Sequence, residues 1–157
     1  MSDDILSYLP AMRAFARSLC RNAADADDLV QETLLRALTN IHRYTPGTNL
    51  KAWLFTIMRN RFYTNSTKRA RERPGAADCV ADTLVMAPTQ EWSLRLREFA
   101  RALNALPVQY RETIVLVGVL GESYQAAAEI LDCNIGTVKS RVSRARQMLK
   151  ETLGQTV

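Results

Sequence analysis

The sequence predicts an all-α protein made of two small helical domains that a flexible linker joins. Apolar residues recur at helical spacing along most of the 157 residues, and strand-like alternation is almost absent. Residues 74–89 show no convincing period and contain proline and glycine, which is typical of a linker. The predicted boundaries are 1–72 for the first domain, 73–90 for the linker and 91–157 for the second domain.

The composition limits the classes of function. Hydrophobic residues make up 47% of the chain and charged residues 24%, and the net charge of +5 favours polyanionic partners. There is one histidine, no nucleophile motif and no phosphate-binding glycine loop, so we expect no enzyme activity, no cofactor and no metal. Cys20, Cys79 and Cys133 are widely spaced, which predicts isolated thiols rather than a disulfide framework.

The cellular location is predicted from two further features. No apolar run approaches the ~18 residues that a membrane span needs, so we expect no membrane insertion. The N-terminus opens with acidic residues and lacks the layout of a signal peptide. Together with the isolated thiols, these features predict a cytoplasmic protein.

Three helices are predicted in the first domain. Pro10 lies in the first turn of a helix that runs to about Cys20. Asp25 is the predicted N-cap of the second helix, and Asn49 that of the third. The apolar faces are Met12, Phe15, Ala16 and Leu19 in the first, Val30, Leu34, Ala37, Leu38 and Ile41 in the second, and Leu50, Trp53, Leu54 and Ile57 in the third.

Four helices are predicted in the second domain. The first runs from about Glu91 to Pro107, and the second, over 108–120, is apolar on most sides and should be buried. Ser123 caps a short third helix over 124–131. A tight turn at 132–134 then leads into a final helix over 135–153.

The last two predicted helices form a helix-turn-helix. Between Gly136 and Lys150 there are five basic residues and no acidic residue, which suits entry into the major groove of DNA. The alternative is a solvated basic face on a surface helix. The predicted inner stripe is Ile135, Val138, Val142, Ala145 and Leu149, and the predicted duplex-DNA contacts are Gly136, Thr137, Lys139, Ser140, Arg141, Ser143, Arg144 and Arg146.

The second helix presents an acidic side in a basic protein. The residues on this side, opposite the apolar stripe, are Asp28, Gln31, Glu32, Leu35 and Thr39. Such a surface would repel nucleic acid and attract a protein with basic side chains, and an exposed leucine would add apolar contact. The alternative is that these acids only stabilise the helix dipole.

The third helix combines basic and aromatic residues. Arginines and lysines there can contact a phosphate backbone, and aromatic rings beside Asn60 suit unstacked bases. Phe55 and Phe62 are equally consistent with packing inside the domain. The predicted contacts with unpaired DNA are Arg59, Asn60, Arg61, Tyr63, Lys68 and Arg69.

Three motifs together resemble the extracytoplasmic-function sigma factors. These motifs are DADDLVQETLLRA at 25–37, WLFTIMRN at 53–60 and GTVKSRVSRAR at 136–146. The resemblance implies a sigma factor that binds core RNA polymerase and directs promoter-specific transcription initiation. It implies a polymerase-docking surface in which Asp28, Gln31, Glu32 and Arg36 are the matching positions, and Leu35 is predicted to add apolar contact to the same surface. It also implies that the third helix captures the melted −10 strand of promoter DNA and that the helix-turn-helix reads the −35 element as duplex.

Residues 46–57, PGTNLKAWLFTI, are similar to the alphaproteobacterial general-stress subgroup of this family. That similarity implies control by an anti-sigma factor and a role in the stress response. The family also implies that the linker approaches the polymerase active-site cleft, where Asp78 and Asp82 would imitate nucleic-acid charge. The chain departs from the family at 124–129, where only alanines stand in place of a large apolar residue.

Two other binding functions remain open from the sequence. One is a sigma-like decoy that binds an anti-sigma factor without binding DNA. The other is a helix-turn-helix regulator that binds duplex DNA without the polymerase.

Overall fold

The computed structural model describes residues 2–72 and 90–154. No strand occurs within these ranges, and the all-α prediction is confirmed. Residues 73–89 of the predicted linker, with Asp78, Cys79 and Asp82, lie outside the described residues, and its last residue, Gln90, begins a helix. The elements are α1 (Ser2–Ser7), α2 (Leu9–Leu19), α3 (Ala23–Thr39), a 3₁₀ turn (Ile41–Arg43), α4 (Leu50–Glu72), α5 (Gln90–Ala105), α6 (Val108–Ile114), a π-helical turn (Val115–Val119), α7 (Tyr124–Leu131) and α8 (Ile135–Gly154).

The N-terminal half is a bundle in which α2, α3 and α4 pack against one another. The aromatic rings of Phe15 and Phe55 meet at its centre, with their centroids 4.9 Å apart. The predicted inner face of α2 is buried as expected, and Pro10 lies in the first turn of this helix. Leu54 and Met58 of α4 complete the core beside Phe55.

Side-chain caps fix where the helices begin. The prediction of Asp25 as an N-cap is wrong, because α3 begins two residues earlier and Asn22 is its cap. The Asn22 side chain accepts a hydrogen bond from the Asp25 backbone N–H at 2.7 Å and donates one to the Asp25 carboxylate at 2.9 Å. The caps predicted at Asn49 and Ser123 are confirmed, with Oδ1 and Oγ accepting from the backbone N–H three residues later.

Two residues predicted to face inward are exposed. Leu38 of α3 is 48% exposed, because this helix buries the stripe that contains Leu29 and Ala37. A residue adjacent to Ala37 is rotated by about 100° around the helix and points away from the bundle. Ile135 is 43% exposed because it lies in the first turn of α8, ahead of the buried stripe that begins at Val138.

The C-terminal half is built around α6, which packs on α8, while α7 also packs on α8. The stretch 108–120 was predicted as a single helix but divides into α6 and the π-helical turn. The prediction that this stretch is buried holds for residues 111–116. Two of those buried residues, Arg111 and Glu112, carry charge.

The two halves pack directly on each other. Helix α4 contacts α7, and α2 contacts α6, so that the buried residues of both halves form one continuous apolar cluster. This arrangement places part of α4 against the C-terminal half. None of the helices in residues 2–72 and 90–154 combines the length and apolar character needed to cross a membrane.

Candidate nucleic-acid and protein interfaces

The outer side of α8 carries the residues predicted to contact duplex DNA. Val138, Val142, Ala145 and Leu149 are buried against the rest of the C-terminal half. Thr137 and Arg141 are half-buried at the edge of the opposite face. The exposed residues of that face are Gly136, Lys139, Ser140, Ser143, Arg144 and Arg146. The structure therefore places all eight predicted residues outside the buried stripe of the helix, and their binding to DNA stays a prediction.

The turn before α8 fixes the angle between α7 and α8. Asp132 adopts the left-handed conformation with φ of 52°, which ends α7 sharply. Ala127 is fully buried and Ala128 nearly so, and such small side chains allow two helices to approach closely. The Lys139 ammonium lies 5.8 Å from the centroid of the Tyr124 ring. The alanines at 124–129 are thus compatible with a packed helix-turn-helix.

The acidic side of α3 is a largely open surface. Asp28, Gln31 and Arg36 are exposed, and Leu35 is 67% exposed. We define the docking surface as Asp28, Gln31, Glu32, Leu35 and Arg36. An exposed leucine surrounded by charged and polar groups has the composition of a protein-binding surface.

Glu32 differs from the rest of the docking surface because it is bound to α4. Its carboxylate accepts hydrogen bonds from Arg61 Nε and, at 3.1 Å, from Asn65 Nδ2. Burial alone would raise the pKa of Glu32, but these hydrogen bonds and the charge of Arg61 outweigh it, so the pKa is lowered from its ordinary value. Glu32 therefore connects α3 to the basic side of α4.

The residues of α4 predicted to bind unpaired DNA fall into two groups. Asn60 and Lys68 are exposed, whereas Arg61 is partly buried beside Glu32. Arg59 and Tyr63 face the C-terminal half. Arg69 lies on α4, but its side chain is outside the described residues.

Arg59 and Tyr63 both bind the carboxylate of Glu112 on α6. Arg59 donates from Nε to Oε2 at 3.1 Å and from Nη2 to Oε1 at 3.3 Å, and Tyr63 Oη donates to Oε1 at 3.1 Å. The Arg59 guanidinium also lies 4.7 Å from the centroid of the Tyr63 ring. The side chain of Glu112 is fully buried and that of Arg59 is 18% exposed. This is a bidentate ion pair between the two halves of the chain.

The environment of this pair shifts the pKa of each group. Burial raises the pKa of Glu112, and the hydrogen bonds and charge of Arg59 and the charge of Arg141 reduce that rise without cancelling it. Burial would lower the pKa of Arg59, but its hydrogen bonds and charge interaction with Glu112 outweigh burial and raise it. Burial, followed by the charge of Glu112, raises the pKa of Tyr63.

The aromatic residues of α4 divide between the core and the surface. Phe55 is fully buried, so its alternative assignment as a packing residue is correct. Phe62 is partly buried and meets Tyr63 edge to face, with ring centroids 5.0 Å apart. Both rings lie off the centre of the bundle, but only Tyr63 also donates a hydrogen bond across to Glu112.

Two more cations join the halves. Lys51 Nζ donates to the carbonyl of Leu120 at 3.0 Å and lies 3.3 Å from the carboxylate of Glu122. The buried Arg111 guanidinium donates to the carbonyls of Ser18, Asn104 and Leu106. Burial, together with the nearby charge of Arg21, lowers the pKa of Arg111.

Sequence reasoning missed Arg111 and Glu112. The signal was an Arg-Glu pair inside a stretch that is otherwise mostly apolar, since buried charges in such a stretch need partners elsewhere. Within residues 2–72 and 90–154, no three histidine, cysteine, aspartate or glutamate side chains come together in a way that could hold a metal ion.

Two protein families match the chain. Sigma-70 region 2 matches residues 5–72, and Sigma-70 region 4 matches residues 96–149. The ECF RNA polymerase sigma factor EcfG of Rhodopseudomonas palustris (strain TIE-1) is 53% identical over 153 residues, which cover 98% of this chain and 84% of the relative.

Two solved structures resemble the whole chain. One is the sigma factor RpoE in complex with the anti-sigma factor NepR from Bartonella quintana, with 47% identity and a TM-score of 0.86 over 97% of this chain and 95% of that chain. The other is CnrH in complex with the cytosolic domain of CnrY, with 28% identity and a TM-score of 0.72 over 99% of this chain and 88% of that chain.

Proposed function

The chain belongs to the extracytoplasmic-function RNA polymerase sigma factors, and on this premise we propose how its surfaces divide the work of transcription initiation. The docking surface on α3 binds core RNA polymerase. Helix α4 binds the melted −10 strand, and α8 reads the −35 element as duplex DNA. The observation that carries the proposal is the exposed face of α8 between Gly136 and Lys150, which contains no acidic residue and occurs in the same chain as the acidic docking surface.

The α4 assignment rests on chemistry suited to unpaired bases. The exposed amide of Asn60 can donate to and accept from the edge of a flipped-out base, whereas a base within a duplex does not reach such a site. Lys68 supplies an exposed positive charge for the phosphate backbone. Strand separation then requires no catalysis, because tighter binding to the unpaired strand than to the duplex shifts the equilibrium.

Regulation follows the pattern of the similar proteins. RpoE of Bartonella quintana binds the anti-sigma factor NepR, and we assign to this chain an anti-sigma factor of the same kind and a set of stress-response promoters. Residues 1–72 and 91–157 form the two functional domains, with 73–90 as their linker. The protein acts in the cytoplasm, where the polymerase is.

The sigma-like decoy is not favoured. EcfG, which is similar to this chain over 98% of its residues, is itself a sigma factor. A decoy that does not bind DNA also has no need for the exposed Lys139, Arg144 and Arg146.

Run-off transcription tests the proposal. The purified chain, added to core polymerase, should yield transcripts from specific promoters, and mapping the transcript starts will identify the shared −10 and −35 elements. Binding of an anti-sigma factor without any promoter-specific transcript would support the decoy instead. Tight footprinting of duplex DNA by the chain alone would support an ordinary regulator.

The same assay tests the role of Asn60. Asn60→Ala should reduce open-complex formation, measured by permanganate reactivity of unpaired thymines, while leaving the affinity for core polymerase unchanged. Asn104→Ala removes another exposed asparagine, from α5, and serves as the matched control. Equal losses of core binding and open-complex formation would refute a role in base capture.

A further inference from the structure

Glu112 binds two residues of α4 that the sequence predicts to contact unpaired DNA, on the helix to which the proposed function assigns the −10 strand. Its carboxylate receives three hydrogen bonds from Arg59 and Tyr63, although 49 to 53 residues separate the partners along the chain. The closed packing of α6 near α4 leaves the carboxylate fully buried. In this arrangement Nε and Nη2 of Arg59 and Oη of Tyr63 donate to Glu112.

A carboxylate and a phosphate compete for the same donors. Both are anions that accept two parallel hydrogen bonds from one guanidinium. The positive charge of Arg141, on the edge of the duplex-reading face, also acts on the Glu112 carboxylate. Glu112 thus interacts with cations from both proposed DNA-binding surfaces, which is the position expected of a substitute for a nucleic-acid anion.

We propose that Glu112 is an intramolecular competitor of promoter DNA, which keeps Arg59 and Tyr63 unavailable until the two halves separate. This inference rests on the proposed function of α4. Binding of the −10 strand by Arg59 then requires release of Glu112, so engagement of the strand and opening of the chain are coupled. The contacts of Lys51 with Leu120 and Glu122 oppose the same separation from a second place on the interface.

The other interpretation of Glu112 is purely structural. A buried ion pair that only holds the fold together predicts that its loss lowers stability and leaves DNA affinity unchanged or weaker. If Glu112 is a competitor, its loss should increase DNA affinity. The reason is that the apparent affinity is proportional to the fraction of molecules in the binding-competent state, and the loss of Glu112 increases that fraction. The two interpretations therefore differ in the sign of the effect on DNA binding.

The main test measures the affinity of the isolated full-length chain for a fluorescent single-stranded oligonucleotide that carries the mapped −10 sequence. Glu112→Gln removes the negative charge and keeps the size of the side chain. Glu129→Gln is the matched control, because it makes the same change of net charge at an exposed position on α7. If the closed state holds about nine-tenths of the molecules, Glu112→Gln should bind about tenfold more tightly than Glu129→Gln. Equal affinities of the two variants would overturn the inference.

A second variant keeps the test decisive if Glu112→Gln does not fold. Lys51→Gln weakens the closed arrangement away from Glu112 and removes a positive charge, so simple electrostatics predicts weaker binding to DNA. The competitor predicts tighter binding. Unchanged or weaker binding by this variant, with helical content preserved in circular dichroism, would count against the inference.

The readouts separate this inference from the proposed function. If the wild-type chain gives no promoter-specific transcript with core polymerase, the proposed function fails and the inference fails with it. If transcription is specific and Asn60→Ala impairs strand opening, but Glu112→Gln and Lys51→Gln bring no gain in oligonucleotide affinity, then only the inference fails.

Discussion

The most informative single substitution on the docking surface is Leu35→Ala. Leu35 is 67% exposed in the middle of the acidic side of α3, where none of the residues in 2–72 and 90–154 covers it. Burying a complete leucine side chain contributes roughly 1.5–3 kcal/mol, so covering the exposed two-thirds contributes about 1–2 kcal/mol. That free energy corresponds to a loss of affinity for core polymerase of about 5- to 30-fold.

The assay is a titration of labelled chain with core polymerase, followed by fluorescence anisotropy. Leu6→Ala is the matched control, since Leu6 is 54% exposed on α1 and outside the docking surface. Neither substitution should change the free energy of unfolding by more than about 0.5 kcal/mol, because both side chains are largely in solvent. An affinity of Leu35→Ala within twofold of wild type, or an equal loss for Leu6→Ala, would refute the assignment of this surface.

Three further predictions concern the core, the duplex reader and Glu32. Phe55→Ala should lower the free energy of unfolding in urea by about 3–5 kcal/mol, because the ring is fully buried against Phe15; a loss below about 1 kcal/mol would return Phe55 to the candidates for DNA contact. Arg144→Ala should weaken binding of the polymerase complex to −35 duplex DNA by about 1–3 kcal/mol. Arg13→Ala is the charge-matched control, because Arg13 is also exposed. Equal effects of the two substitutions would remove Arg144 from the residues that contact the duplex. The pKa of Glu32 is lowered from its ordinary 4.5, so its stabilising contribution is present above that value and is lost as the pH falls through the folded-state pKa. As the pH is lowered, the free energy of unfolding should therefore fall more steeply for wild type than for Glu32→Gln. Parallel curves for the two proteins would contradict the prediction.

The sequence predicted the features that depend on local chemistry. The caps at Asn49 and Ser123 and the inner face of α2 are set by residues within one or two turns, and the structure confirms them. The predicted cap at Asp25 failed because Asn22, also a good cap, lies three residues earlier and uses Asp25 as its partner. Two competent caps at this spacing cannot be ranked by residue type alone.

The sequence could not predict the features that depend on how the halves meet. Leu38 and Leu29 are equally apolar, and only the position of α2 and α4 decides that Leu29 is the buried one. The partners of Glu112 lie on α4, and one partner of Arg111 lies 93 residues away on α2. A charged pair in an apolar stretch indicated that partners exist, but periodicity contains no information about their identity.

The way Arg111 is held has a consequence for how the sequence can change over evolutionary time. Among the residues that the structure describes, its guanidinium donates to three main-chain oxygens, those of Ser18, Asn104 and Leu106. Every residue type carries a main-chain oxygen, so drift at those three positions leaves the acceptors in place. Position 111 has no such freedom, because lysine cannot spread its donors over three acceptors in the fixed planar fork of arginine. Among relatives that keep this packing, we therefore expect an invariant arginine beside acceptor positions that vary.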